Sequence, residues 1–114
     1  MQFENNKYCI ALDEKNGSIN SLVSNGKEFV GQKLPLFSFQ MRKGKDTADY
    51  TSDCAEKVTV DKSGDSVSIE YSGFENLDLT FRVRAVFSDR IEWRLSFENN
   101  TGMCVEWVNF PLIA

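Results

Sequence analysis

At 114 residues the chain carries one domain rather than two, and with 41% hydrophobic and 12% aromatic residues it can bury a core without disulfide staples. A net charge of −4 and a pI near 4.8 argue against general attraction to nucleic acid or to an anionic membrane. The chain contains no histidine, which removes the Ser-His-Asp and Cys-His arrangements and the common zinc sets, so neither a metal nor another cofactor is expected.

The first residues, Met1 to Asn6, are polar and read as carrying no signal peptide. No apolar run approaches the roughly 20 residues that a membrane helix needs. From there on the apolar residues recur at period two, the mark of half-buried strands, and no segment shows a helical period. Tyr8, Ile10 and Leu12 form a first strand. A four-residue loop, Glu14 to Gly17, then sets Leu12 opposite Ile19, with Gly17 supplying the positive φ that such a turn needs.

Leu34 to Met41 reads as a further strand whose Pro35 must sit at its start or on an edge. Arg42, Lys43 and Lys45 mark a solvated strand end, and residues 43 to 55 read as a long polar loop. Val58 and Val60 are even-numbered, whereas Val67, Ile69 and Tyr71 are odd. An even-length loop across Lys62 to Asp65 therefore brings Val60 opposite Val67. Leu77, Leu79, Phe81, Val83, Ala85 and Phe87 share one face, with Asp78, Thr80, Arg82 and Arg84 on the other. Ile91, Trp93, Leu95 and Phe97 alternate with Glu92, Arg94, Ser96 and Glu98. Both apolar sets are odd, so a three-residue loop, Ser88-Asp89-Arg90, is required; it pairs Phe87 with Ile91, Ala85 with Trp93 and Val83 with Leu95. In the last strand, Met103, Val105 and Trp107 fall on one face and Cys104, Val108 and Phe110 on the other, so both sides are expected to be covered. The sum is an all-β, antiparallel two-sheet β-sandwich of about eight or nine strands.

Candidates for chemistry are few. Cys9 and Cys104 lie in apolar strand patterns and read as small hydrophobes, and Cys54 lies in the polar loop. Three reduced thiols lean the compartment toward the cytoplasm. A glycosidase-like acid pair would have to come from Asp46, Asp49 and Asp53, or from Glu75 and Asp78. The aspartate triplet lacks the Gly and the closing Glu of a calcium loop. For a flat aromatic that stacks on sugar, Tyr50 is the one aromatic expected to be exposed, and Trp107 is the other candidate, set against a core or inter-domain role. Trp93 reads as core. The sequons at Asn16 and Asn99 read as turn residues.

The first hairpin, Ile10-Ala11-Leu12-Asp13-Glu14-Lys15-Asn16-Gly17-Ser18-Ile19, is followed much later by Ile91-Glu92-Trp93, Asn99-Asn100-Thr101 and Val108-Asn109-Phe110-Pro111. This succession resembles the N-terminal β-sandwich (supersandwich, galactose-mutarotase-like) domains of large bacterial glycoside hydrolases. The resemblance implies a non-catalytic accessory domain, a portion of a longer protein, whose partner is the catalytic domain that carries the acids. Mutarotases proper use His and Glu, and this chain has no His. Two alternatives are a free-standing carbohydrate-binding module and a structural sandwich that contacts protein, including copies of itself, through uncovered strand edges.

Overall fold

Alternate side chains point to opposite sides of a strand, so a chain patterned at period two must lay its apolar rows against one another. The computed structural model, which describes residues 1–113, does this with eleven antiparallel strands and one 3₁₀ turn. They are β1 (Gln2–Glu4), β2 (Cys9–Leu12), β3 (Ile19–Ser24), β4 (Lys27–Glu28), β5 (Ser38–Lys43), β6 (Asp46–Thr51), β7 (Ala55–Ser63), β8 (Ser66–Phe74), β9 (Leu77–Phe87), β10 (Ile91–Asn99) and β11 (Cys104–Asn109), with the 3₁₀ turn at Ser52–Cys54. The strands form three sheets, ordered β1-β2-β3-β4, β10-β9-β8-β7 and β11-β5-β6. The expectation of two sheets and eight or nine strands is corrected accordingly. The additional strands are β1, β4 and β6, all short or rich in polar residues, and so they carry little apolar alternation to read.

The segment expected to be a long loop, residues 43 to 55, is where that correction is largest. A tight turn at Gly44-Lys45 closes the β5–β6 hairpin, with Lys43 opposite Asp46 and Phe39 opposite Tyr50. The basic residues Arg42, Lys43 and Lys45 are exposed at this hairpin end.

Two of the three predicted hairpin registers hold. The β9–β10 register pairs Phe87 with Ile91, Ala85 with Trp93 and Val83 with Leu95. Leu12 faces Ile19 across the first loop, although a bulge then shifts Ala11 to Ser21. In the β7–β8 hairpin the parity is right and the register is off by two. Ser63 pairs with Ser66, so the loop has two residues, Gly64 and Asp65, and Val60 meets Ile69 rather than Val67. The shorter turn keeps the same faces inward and adds ladder pairs.

The centre of the core is aromatic. Phe81 on β9 lies 4.6 Å from Phe39 and 4.8 Å from Phe37, and Phe37 meets Tyr71 edge-on at 4.9 Å. All four are fully buried, each contributing about 1.5–3 kcal/mol of transfer free energy. Phe3 of β1 stacks on Phe87 at 4.0 Å and brings the first sheet onto the same inner face. Burial pushes the Tyr71 phenol well above its ordinary pKa. It therefore stays protonated and donates to the Asn16 carbonyl at 2.5 Å, which ties the first loop to β8.

That loop is built around Asp13. Its carboxylate accepts the Lys15 N–H at 2.8 Å and the Lys33 ammonium at 2.5 Å, and its carbonyl accepts the Gly17 N–H at 2.8 Å. The Lys33 hydrogen bond, foremost, and then the Lys15 N–H hold the carboxyl below its ordinary pKa of 3.8. The folded-state value lies below the unfolded one, so this stabilisation is complete above the ordinary value and is lost as pH falls through the folded value. With Lys33 half exposed, screening limits the pair, and Asp13→Asn is expected to cost about 1 kcal/mol at neutral pH. Denaturant unfolding followed from pH 6 down to pH 2 (about the range that spans a carboxylate) should show a shallower acid loss in the variant. An unchanged acid limb would remove Asp13 as its source.

Candidate functional site

The outward faces of β7 to β10 carry the polar half of the alternation. The registers align it into cross-strand rows: Thr59, Glu70, Arg82 and Ser96 in one, Asp61, Ser68, Arg84 and Arg94 in the next. The outer face of these four strands, each nine to eleven residues long, bears a groove of about 720 Å³. The two rows line it, together with Ile69, Val83 and Leu95. Its volume lies within the roughly 300–1,000 Å³ typical of ligand clefts.

Charge in the groove is unevenly matched. Arg82 reaches Glu70 at 3.4 Å and Glu98 at 3.8 Å. Arg84 and Arg94 stand directly opposite one another on β9 and β10, and neither has a carboxylate within salt-bridge distance among the described residues. A smaller depression of about 160 Å³ continues past them, lined by Arg84, Val86, Glu92 and Arg94. The hydroxyls of Thr59, Ser68 and Ser96 each offer a donor and an acceptor. This is a hydrogen-bonding surface with no aromatic platform.

The residues singled out from the sequence lie elsewhere. Tyr50 is not exposed: it is 8% accessible, stacks on Phe39 at 5.4 Å and donates to a Glu75 carboxylate oxygen at 3.3 Å. Burial, and then the Glu75 charge, raise its pKa. The polar sequence around Tyr50 hid a strand whose inward positions are Ala48 and Tyr50. Trp107 is not core, being 39% accessible. A register shift between Val105 and Trp107 turns its side chain from the row of Met41 and Phe39 to that of Gln40. Cys104 is likewise exposed, opposite Arg42, because its parity places it on the outer side of β11; Cys9 is half-buried and Cys54 exposed. Trp93 is partly buried and packs edge-on against Phe87 and Phe110.

The acids do not gather. Asp46 and Asp49 are three apart on β6 and so point to opposite sides; Asp49 accepts from Gln40 at 2.9 Å and Asp53 from Asn16 at 3.3 Å. Among the described residues no group of three His, Cys, Asp or Glu side chains is placed to hold a metal. Both sequons are Asx turns. Asn16 accepts the Ser18 N–H at 2.9 Å, and Asn99 accepts the Thr101 N–H at 3.1 Å.

Fold and groove together define an all-β domain of antiparallel sheets with one dished polar face. No protein-family model, curated protein or solved structure matches the chain.

Proposed function

We propose that the chain is a β-sandwich serving as a non-catalytic accessory domain of a carbohydrate-active enzyme, with the groove on β7 to β10 as its sugar-binding face. In this reading the four long strands form one layer and the two smaller sheets together form the other. The observation that carries it is the groove itself. Hydroxyls alternate there with guanidinium and carboxylate groups along adjacent rows, a pattern that answers the paired donor and acceptor of each sugar hydroxyl. Recognition runs through hydrogen bonds, since Tyr50 is buried and Trp93 faces inward. Glu70 is held by Arg82, which leaves Asp61 as the groove carboxylate without an ion pair among the described residues, and one such acid does not make a glycosidase pair.

A titration of the chain with neutral oligosaccharides, read by amide chemical shifts, tests this reading. Shifts are expected at Ser68, Arg82 and Ser96, and Ser68→Leu together with Ser96→Leu should abolish them while the fold persists. Binding that leaves these residues unmoved, or no binding to any glycan, would refute it.

A second reading, a sandwich that contacts protein, is favoured by Phe97 on β10 at 46% and Trp107 on β11 at 39% accessibility, each on a strand that ends its sheet. Either the catalytic domain of a parent chain or a second copy would cover them. Sedimentation that shifts with concentration would support the second copy.

A further inference from the structure

We infer that the groove selects an anionic sugar, and that Arg84 and Arg94 form the clamp that holds its carboxylate or sulfate. The inference rests on the sugar-binding reading of that groove and names the substrate class.

The argument begins with the ladder. The Asn100 N–H donates to the Asp78 carbonyl and the Ser88 N–H to the Arg90 carbonyl, so the even-numbered residues of β10 bond directly to β9. Arg94 and Arg84 are one such pair, with Cα atoms about 5.5 Å apart and both side chains on the outer face. Like charges directly opposite on neighbouring strands destabilise a sheet. The usual relief, an interleaved carboxylate, is present one row away, where Arg82 has both Glu70 and Glu98. Arg84 and Arg94 lack it, although Asp61 and Glu92 lie on the same face.

Their position matters as much as their charge. They are the two residues that line both the groove and the smaller depression beyond it, so they stand at the point where the two meet. On one side Ser68 and Ser96 supply hydroxyl partners; on the other, Glu92 supplies an acceptor. Two guanidinium forks at this spacing can each give two parallel N–H bonds to one oxyanion. A pyranose ring lying over the serines would place an acidic substituent between them. A long polyanion such as nucleic acid fits poorly, since Asp61, Glu70, Glu92 and Glu98 surround the pair and the chain carries a net charge of −4.

The test titrates the 114-residue chain with three probes of equal length: an oligogalactan ending in one galacturonate, one bearing a single sulfate on its end sugar, and the unmodified neutral oligogalactan. At low salt at least one acidic probe is expected to bind about ten-fold or more tightly than the neutral one, the difference that one charge-assisted contact supplies. Which acidic probe wins separates carboxylate from sulfate. Arg84→Gln with Arg94→Gln should erase that preference and raise the melting temperature, because the repulsion is gone. Equal affinity for acidic and neutral probes, or a preference that survives the double substitution, overturns the clamp and leaves the sugar reading intact. No binding of any probe overturns the clamp, and no binding across a panel of other neutral and acidic glycans overturns the sugar reading with it.

Discussion

Replacing Phe81 with alanine is expected to lower the free energy of unfolding by about 3–5 kcal/mol, the largest loss foreseen for any single side chain of the core. Phe81 is fully buried on β9, between Phe39 at 4.6 Å, Phe37 at 4.8 Å, Phe97 at 5.4 Å and Phe74 at 5.8 Å. Removing the ring loses its own transfer free energy and leaves a void walled by other rings, which are anchored on three different strands or segments and cannot all move inward. Phe97 faces Phe81 across the β9–β10 ladder yet is 46% exposed, so Phe97→Ala is expected to cost about 1 kcal/mol or less. Urea unfolding of both variants measures the contrast. Similar losses for the two would mean that the layer over β10 closes more tightly than the structure shows.

Gly17→Ala is the second large effect, about 2–5 kcal/mol. The residue has φ of +75°, which any side chain resists by about 1–2 kcal/mol. An added Cβ would also collide with the Ile69 Cδ1 and lie 2.8 Å from the Tyr71 hydroxyl oxygen. Both neighbours are buried, and that hydroxyl is occupied by its bond to the Asn16 carbonyl, so neither can withdraw without opening the contact between loop and sheet. Overpacking of this kind costs about 1–3 kcal/mol. Gly64 is the control. Its φ is +58° and nothing lies within 4 Å of the added atom, so Gly64→Ala should cost the conformational share alone. Thermal melts of the two variants separate backbone strain from close packing; equal shifts would assign the whole effect to φ.

Much of the sheet was legible because strand parity is a local property. Phe87 and Ile91 are both odd and both apolar, and the three-residue turn follows from that alone. The same register already set Arg84 opposite Arg94, so half of the proposed clamp was present in the pairing before any side chain was placed. What parity could not reveal was curvature. The groove lies on the outer face of four long strands, and a polar face on a flat ladder and one on a twisted, dished sheet read the same.

Tyr50 and Trp107 show the other limit. Tyr50 lies among Asp, Thr, Ser and Lys, residues that favour loops, yet pairing with β5 draws its segment into a sheet and its ring onto Phe39. Local propensity loses to a long cross-strand contact there. Trp107 fits the inward parity of Val105, but one bulge reverses the alternation after it.

By itself, then, the order of residues determined an all-β chain, the inward rows of β8 and β9 and two of its hairpin registers, because side-chain alternation and turn length are set within a few positions. The tertiary structure alone decided that there are three sheets and eleven strands, which aromatics are covered, and that a polar face becomes a groove. Those outcomes depend on twist, on bulges and on which sheet lies over which, and these are sums over contacts between residues far apart in the chain.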